Sequence, residues 1–198
     1  DPDDRAIESL VHAMDYIESV LGKRDFILTG LCSGADQAHP AAKLDARIKG
    51  IAMIDGYGYP TPDFERHARQ KIIYRRLTKF ISLRSWKNML KSRMGTPNQS
   101  EGNKALDALV SRDFPDREIV QSEIASFLAQ GRRMHFIYTS GLSYFNHEKQ
   151  FWDMFPNLKP GTNLSCRYFP KTDHTFSLLK DREELIAGLL NFVSGATL

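Results

Sequence analysis

A short apolar strand that runs through a cysteine into a helix constrains the fold more than any other feature of this sequence. Residues 26–29 form an apolar run with the length of a buried strand, and a helical segment starts near Ser33. Between them lies Gly30-Leu31-Cys32-Ser33-Gly34-Ala35, with a glycine two positions before the cysteine and another two after it. Small residues at both places predict a sharp turn at which the strand and helix backbones approach closely and Cys32 projects above a sheet.

The elements around this turn predict an α/β protein. Helix and strand alternate along most of the chain, which is typical of a parallel sheet with crossover helices. The predicted strands cover residues 26–29, 48–54, 134–139 and 164–169. The predicted helices cover residues 4–21, a segment from Ser33, 115–130 (opened by Asp113 or Pro115), 148–155 and 181–193.

Residues 57–130 interrupt the alternation and are predicted to be a helical cap, so that residues 1–56 and 131–198 form the core. Between residues 63 and 93 there are ten Lys or Arg against two Asp or Glu, whereas the whole chain has a formal charge of only +3. This charge has two readings: it binds an anionic substrate, or it is a solvated surface whose aliphatic stems cover apolar residues. No recognised nucleic-acid-binding motif accompanies these basic residues, so no nucleic-acid partner is predicted.

Cys32 is the predicted nucleophile of a covalent mechanism. It stands at a helix N-terminus, where exposed amides and the helix dipole favour a thiolate. Two alternatives remain: Cys32 is a small buried core residue, or Ser33 is the nucleophile in a turn flanked by Leu31 and Ala35. Leu31 is large for such a turn. A dinucleotide-binding fingerprint is disfavoured because Cys32 and Ala35 stand where that pattern requires glycine.

A nucleophile of this kind needs a base, and His174 is the candidate, in the loop between the last strand and the C-terminal helix. An acid should orient that histidine. Asp55 ends the strand beside the elbow strand, although it could instead cap the turn at Gly56. Glu148 is the alternative acid, since it too lies between nucleophile and histidine in chain order. Asp173 ranks last, because neighbouring side chains in an extended loop point apart.

The elbow, Ile54-Asp55-Gly56-Tyr57 and Asp173-His174-Thr175-Phe176 together resemble the C-terminal half of the α/β-hydrolase superfamily. More narrowly, they resemble α/β-hydrolases associated with bacterial exopolysaccharide systems, and dienelactone-hydrolase-like enzymes carry cysteine at the same elbow. The resemblance implies a partial α/β-hydrolase fold whose N-terminal strands are missing, so the chain is expected to be a fragment.

The same resemblance implies a hydrolase of an ester or thioester that forms an acyl-enzyme on Cys32. His174 would act as general base and then acid, Asp55 would orient it, and the Ser33 backbone N–H would donate to the oxyanion. No metal and no organic cofactor are implied. An acyltransferase with the same intermediate and a non-catalytic binding module are the alternatives.

Cysteine usage and hydropathy bear on the compartment. Two cysteines, Cys32 and Cys166, are too few for a disulfide framework, which favours a reducing compartment, the cytoplasm. No apolar run approaches the roughly 18 residues of a membrane helix. The resemblance implies a small acyl ester or thioester as the partner, the basic residues between 63 and 93 add an anionic one as an alternative, and the oligomeric state is left open.

Overall fold

A sheet of parallel strands forms the centre of the computed structural model, which describes residues 2–64, 66–67, 114–140 and 144–195. Within these residues the strands lie side by side in chain order, and every pair is parallel. They are β1 (Phe26–Leu31), β2 (Ile48–Ile54), β3 (Arg133–Thr139) and β4 (Leu164–Phe169). The carboxyl ends of all four strands therefore meet at one edge of the sheet, which is where ligands bind in folds of this class.

Helices precede, connect and follow the strands, as the alternating pattern predicts. They are α1 (Pro2–Leu21), α2 (Ser33–Leu44), α3 (Arg117–Ala129), α4 (Gln150–Met154) and α5 (Leu179–Ser194). Gly22 ends α1 with φ of 64°, a left-handed conformation that favours glycine. None of the helices in the described ranges is both long enough and apolar enough to cross a membrane.

Several element boundaries differ from the sequence prediction, among them the following three. The start of α3 at Asp113 or Pro115 was wrong: the cap is Asp116, whose carboxylate accepts from the backbone N–H groups of Glu118 and Ile119. Strand β1 runs two residues farther than predicted, because Gly30 and Leu31 continue to pair with the end of β2. Helix α4 begins at Gln150 rather than at residue 148.

The main hydrophobic core combines the helices α1 to α4 with the sheet. The central strands β2 and β3 are buried along nearly their whole length, whereas β1 and β4 are only partly buried. A smaller cluster of Ile54, Ile137, Phe169 and Phe176 packs with α5. Because successive strand side chains point to opposite faces, Ile54 and Ile137 project from the other side of the sheet.

Most of the predicted cap, residues 68–113, lies outside the described residues, so the cap stays a prediction. In its described part, Tyr57 and Phe64 are buried. Helix α3, which falls inside the predicted 57–130 boundary, contributes Val120, Ile124 and Phe127 to the main core. This helix therefore packs as a crossover connection between β2 and β3.

Candidate active site

The turn between β1 and α2 holds Cys32 in an unusual backbone conformation. Its φ is 57° and its ψ is −121°, a region that costs a non-glycine residue about 1–3 kcal/mol. Hydrogen bonds hold it there: the Cys32 N–H donates to the Ile54 carbonyl at 2.8 Å, and the Cys32 carbonyl accepts from the Ala35 N–H at 2.9 Å. The strained residue is thus bonded both to the neighbouring strand and to the helix that follows it.

The positive φ distinguishes the alternatives at this turn. It falls on Cys32, while Ser33 is already the exposed first residue of α2. Cys32 itself is partly exposed, unlike a cysteine that only fills a core. The first observation favours Cys32 over Ser33 as the residue presented at the strand end, and the second argues against Cys32 as a core residue only.

The flanking glycines are not equivalent. A Cβ added to Gly30 would lie 2.3 Å from the Gly34 carbonyl oxygen, so the close approach of strand and helix requires glycine there. A Cβ added to Gly34 would meet no described atom within 4 Å. The prediction that crowding demands a small residue at both positions is therefore confirmed for Gly30 and wrong for Gly34. The pattern is asymmetric because the Gly34 backbone, rather than its side-chain position, is what approaches Gly30.

Asp55 follows β2 as Cys32 follows β1, and its side chain is fully buried. Its φ is 53°, and its N–H donates to the Ile137 carbonyl at 2.8 Å. One carboxylate oxygen, Oδ1, accepts from the Thr139 backbone N–H at 2.7 Å, and Oδ2 accepts from the Thr139 hydroxyl at 2.8 Å. Buried charge is costly unless it is hydrogen-bonded, and these contacts supply that compensation.

His174 contacts the same carboxylate from the loop after β4. Its Nδ1 lies 2.8 Å from Asp55 Oδ2, and 32% of its side chain is exposed. Because a carboxylate can only accept, Nδ1 carries the imidazole proton and Nε2 is the basic nitrogen. The structure thus brings together the predicted His174 and Asp55, which are 119 positions apart in the chain.

The loop that carries His174 is bonded to its surroundings on both sides. The Ser140 hydroxyl donates to the Thr172 carbonyl at 3.0 Å, and the Thr172 hydroxyl donates to Asp181 at 2.7 Å. Arg182 donates to the Phe176 carbonyl through two guanidinium nitrogens. Phe176, at φ of 51°, packs edge-on against Phe169. These contacts restrict where the imidazole can lie.

The remaining acid candidates occupy other environments. Asp173 is exposed and accepts from the hydroxyls and N–H groups of Thr175 and Ser177, and the Thr175 hydrogen bonds lower the pKa of its carboxyl to about 2. It therefore organises its own loop. Glu148 is exposed in the turn before α4. The carboxylate that contacts the imidazole is that of Asp55.

Two residues that the sequence reasoning missed support Asp55. Thr139 binds both carboxylate oxygens, as described above. The Tyr144 hydroxyl contacts the carbonyl oxygens of Asp55 at 2.9 Å and Gly56 at 3.1 Å, so it holds the backbone of this strained corner. The signal for Thr139 was available, since it carries a hydroxyl at the end of a strand predicted to lie in the same sheet. Tyr144 carries no comparable signal.

Comparison with known proteins identifies the fold. No protein-family model matches the chain, and no curated protein matches it in sequence. It is similar to the solved structure of the α/β-hydrolase GrgF from Penicillium sp. sh18, at 16% identity and a TM-score of 0.51, over 98% of this chain and 72% of that one.

Two further solved structures are similar at lower TM-scores. One is the esterase domain of a Rhodothermus marinus protein, with 14% identity and a TM-score of 0.49, over 93% of this chain and 67% of that one. The other is a lipase-esterase related protein from Clostridium acetobutylicum, with 12% identity and a TM-score of 0.47, over 94% of this chain and 74% of that one. The likeness to GrgF, at 16% identity, bears on fold alone: the chain has a partial α/β-hydrolase fold.

Proposed function

We propose that the protein hydrolyses an ester or thioester through a covalent acyl-enzyme on Cys32. The observation that supports this most is the 2.8 Å contact between His174 Nδ1 and the fully buried Asp55 carboxylate, at the strand end next to Cys32. A partly exposed histidine whose Nδ1 is held by a buried acid is the arrangement that a general base requires. The narrower resemblance to exopolysaccharide-associated hydrolases stays a prediction.

The proposed reaction begins with proton transfer from the Cys32 thiol to His174 Nε2. The sulfur then attacks the substrate carbonyl, and the resulting oxyanion accepts a hydrogen bond from the Ser33 backbone N–H, the first amide of α2. Collapse of this intermediate breaks the bond to the leaving alcohol or thiol, which takes the proton from His174. Water, deprotonated by the same nitrogen, hydrolyses the acyl-enzyme and regenerates the thiol.

Asp55 acts through His174 and does not touch the substrate in this scheme. Its negative charge favours the imidazolium that forms when the thiol is deprotonated, and its hydrogen bond keeps the proton on Nδ1. Thr139 fixes the carboxylate by donating to both oxygens. The acid therefore needs no rearrangement during the reaction, which is how a preorganised site lowers a barrier.

The substrate class follows from this chemistry and from the charge of the chain. A thiolate with a fixed base suits small acyl esters and thioesters. The ten basic residues between positions 63 and 93 favour a substrate that carries a carboxylate or phosphate. Both cysteines are free thiols, and we place the protein in a reducing compartment, the cytoplasm.

Two assays test this proposal. One maps the thiol that iodoacetamide alkylates, and the other measures the hydrolysis of p-nitrophenyl acetate and of an acyl thioester by the unlabelled protein. We expect Cys32 to be labelled first, and Cys32→Ala and His174→Ala to abolish turnover. Cys166→Ala is the matched control: Cys166 is partly exposed like Cys32, but it lies inside β4 and not at a strand-to-helix turn. Burial, followed by the nearby charge of Glu148, raises the pKa of its thiol, so we expect slower alkylation there.

Three outcomes would change the assignment. Preferential labelling of Cys166 would refute the role of Cys32. Labelling of Ser33 by a phosphonate would move the nucleophile by one residue. A chain that is alkylated at Cys32 yet shows no turnover with either substrate class would support the non-catalytic binding module instead.

A further inference from the structure

A cluster of metal-ligating side chains lies outside the proposed active site. Among the described residues, Asp63, His147 and Asp153 each offer one ligand atom, and these atoms lie within 4.8 Å of one another. Asp63 belongs to the segment after β2, His147 to the loop after β3, and Asp153 to α4. Three separate parts of the chain therefore converge on one point.

The orientation of His147 points to a positive charge at its Nε2. The Asn146 side-chain NH₂ donates to the Phe64 carbonyl at 3.0 Å, which fixes the amide and turns its oxygen toward His147 Nδ1 at 2.9 Å. Nδ1 is therefore the donor, and the second nitrogen of a neutral imidazole has a lone pair. That nitrogen lies 3.2 Å from a carboxylate oxygen of Asp153. Two lone pairs face each other unless a cation, either a proton or a metal ion, lies near both.

We propose that Asp63, His147 and Asp153 bind a divalent metal ion, of which Zn²⁺ is the best match. One imidazole and two carboxylates suit zinc, whose bonds to nitrogen and oxygen are about 2.1 Å, so tetrahedral ligands lie roughly 3.4 Å apart. The 3.2 Å between His147 and Asp153 fits this spacing. The Asn146 contact supplies the second hydrogen bond that orients a metal-binding histidine.

One of the three candidate ligands is held in place by its neighbours, and the other two can change their side-chain orientation. His147 is 12% exposed and its ring stacks on His67 with centroids 4.6 Å apart, so it is held in place. Asp153 and Asp63 are 41% and 45% exposed and can rotate toward an ion. Asp63 also pairs with the exposed Arg66 at 3.0 Å, and this guanidinium would have to turn away. A bound ion would tie the segment before residue 68 to the loop after β3.

The experiment measures zinc binding by the untagged chain, using metal content after gel filtration, calorimetric titration and the melting temperature. We expect one Zn²⁺ per chain and a melting temperature that rises with ZnCl₂ concentration. Asp153→Asn and His147→Gln should each weaken binding at least about tenfold, and Asn146→Ala about tenfold through lost orientation. Asp153 is exposed, so its variant is expected to fold even if that of His147 does not.

Two controls separate this site from other zinc ligands. Asp25→Asn, at an exposed carboxylate elsewhere, should bind zinc like the parent chain. Cys32→Ala should also retain the ion, since no thiol belongs to the cluster. The proposal is overturned if the chain binds no zinc, if Asp153→Asn binds as tightly as the parent, or if binding disappears with Cys32. In the first case the contact is an imidazolium–carboxylate pair only.

Discussion

Replacing Asp55 by asparagine tests the proposed mechanism most directly. The amide would keep an oxygen for the Thr139 N–H but would present NH₂ to the Thr139 hydroxyl and to His174 Nδ1, where an acceptor now stands. The imidazole would then carry its proton on Nε2 and could no longer accept one there. The change is nearly isosteric, so the effect on the fold should be smaller than the effect on the reaction.

The magnitude follows from the charge that is lost. An imidazolium and a carboxylate about 4 Å apart attract by about 4 kcal/mol at an effective dielectric constant of about 20. Each 1.36 kcal/mol changes a rate about tenfold, so the loss is bounded near 10³. A thiolate at Cys32 itself stabilises the imidazolium, and we therefore expect a loss on the order of 10² to 10³ in kcat for Asp55→Asn.

The assay compares Asp55→Asn with Glu148→Gln, whose carboxyl is exposed before α4. Thioester hydrolysis and the rate of Cys32 alkylation at pH 7 are measured for both, with circular dichroism and urea unfolding as folding controls. Glu148→Gln should stay within several-fold of the parent. The reverse ranking with folding unchanged would transfer the role to Glu148, and parent-like rates in both variants would refute an acid-assisted histidine.

Three further predictions concern the turn, the buried histidines and the substrate. Gly30→Ala should destabilise the chain by about 1–3 kcal/mol or more in urea unfolding, whereas Gly34→Ala should be neutral or stabilising by up to about 1 kcal/mol, and equal losses would contradict the asymmetric turn. Burial lowers the pKa of His39 and His135 from 6.5 to about 4. As the pH falls, these two side chains are therefore protonated in the unfolded chain before they are protonated in the folded one. Between pH 7 and pH 5, each histidine should lower the free energy of unfolding by about 2 kcal/mol. Unchanged urea midpoints at the two pH values would refute this, and a His39→Gln/His135→Gln double variant should lose most of the pH dependence. Carboxylated thioesters should be hydrolysed faster than matched neutral ones, and this preference should weaken as the salt concentration rises. Equal rates at low salt would refute the proposal that residues 63–93 bind an anionic substrate.

The strand pattern could be predicted because local signals were strong. The strands predicted at 48–54 and 164–169 coincide with β2 and β4, since each ends at a break in the pattern, Asp55-Gly56 in one case and Pro170 in the other. The start of α3 was misplaced because aspartate and proline both precede helices, and only the tertiary structure shows which side chain reaches the free N–H groups.

Much of the site depends on which residues of neighbouring strands pair with one another. The hydrophobic periodicity of the sequence does not reveal that pairing. Thr139 reaches Asp55 because β2 and β3 pair so that Ile54 faces Ile137, which brings the residues after one strand beside the end of the other. The unequal roles of Gly30 and Gly34 likewise depend on how α2 leaves the sheet. Chain order left Asp55 and Glu148 equivalent as acids, whereas the structure places only the first against the imidazole.

The strained backbone at Cys32 and Asp55 indicates that their side chains, and not only their backbone turns, have a role. Both are non-glycine residues at positive φ, directly after neighbouring strands, and each conformation costs about 1–3 kcal/mol. Glycine would adopt the same angles without that cost. Each corner is held by a hydrogen bond to the next strand, from Cys32 to Ile54 and from Asp55 to Ile137. A sheet that stabilises two strained corners side by side presents a thiol and a carboxylate at one edge, which is what the proposed acyl transfer requires.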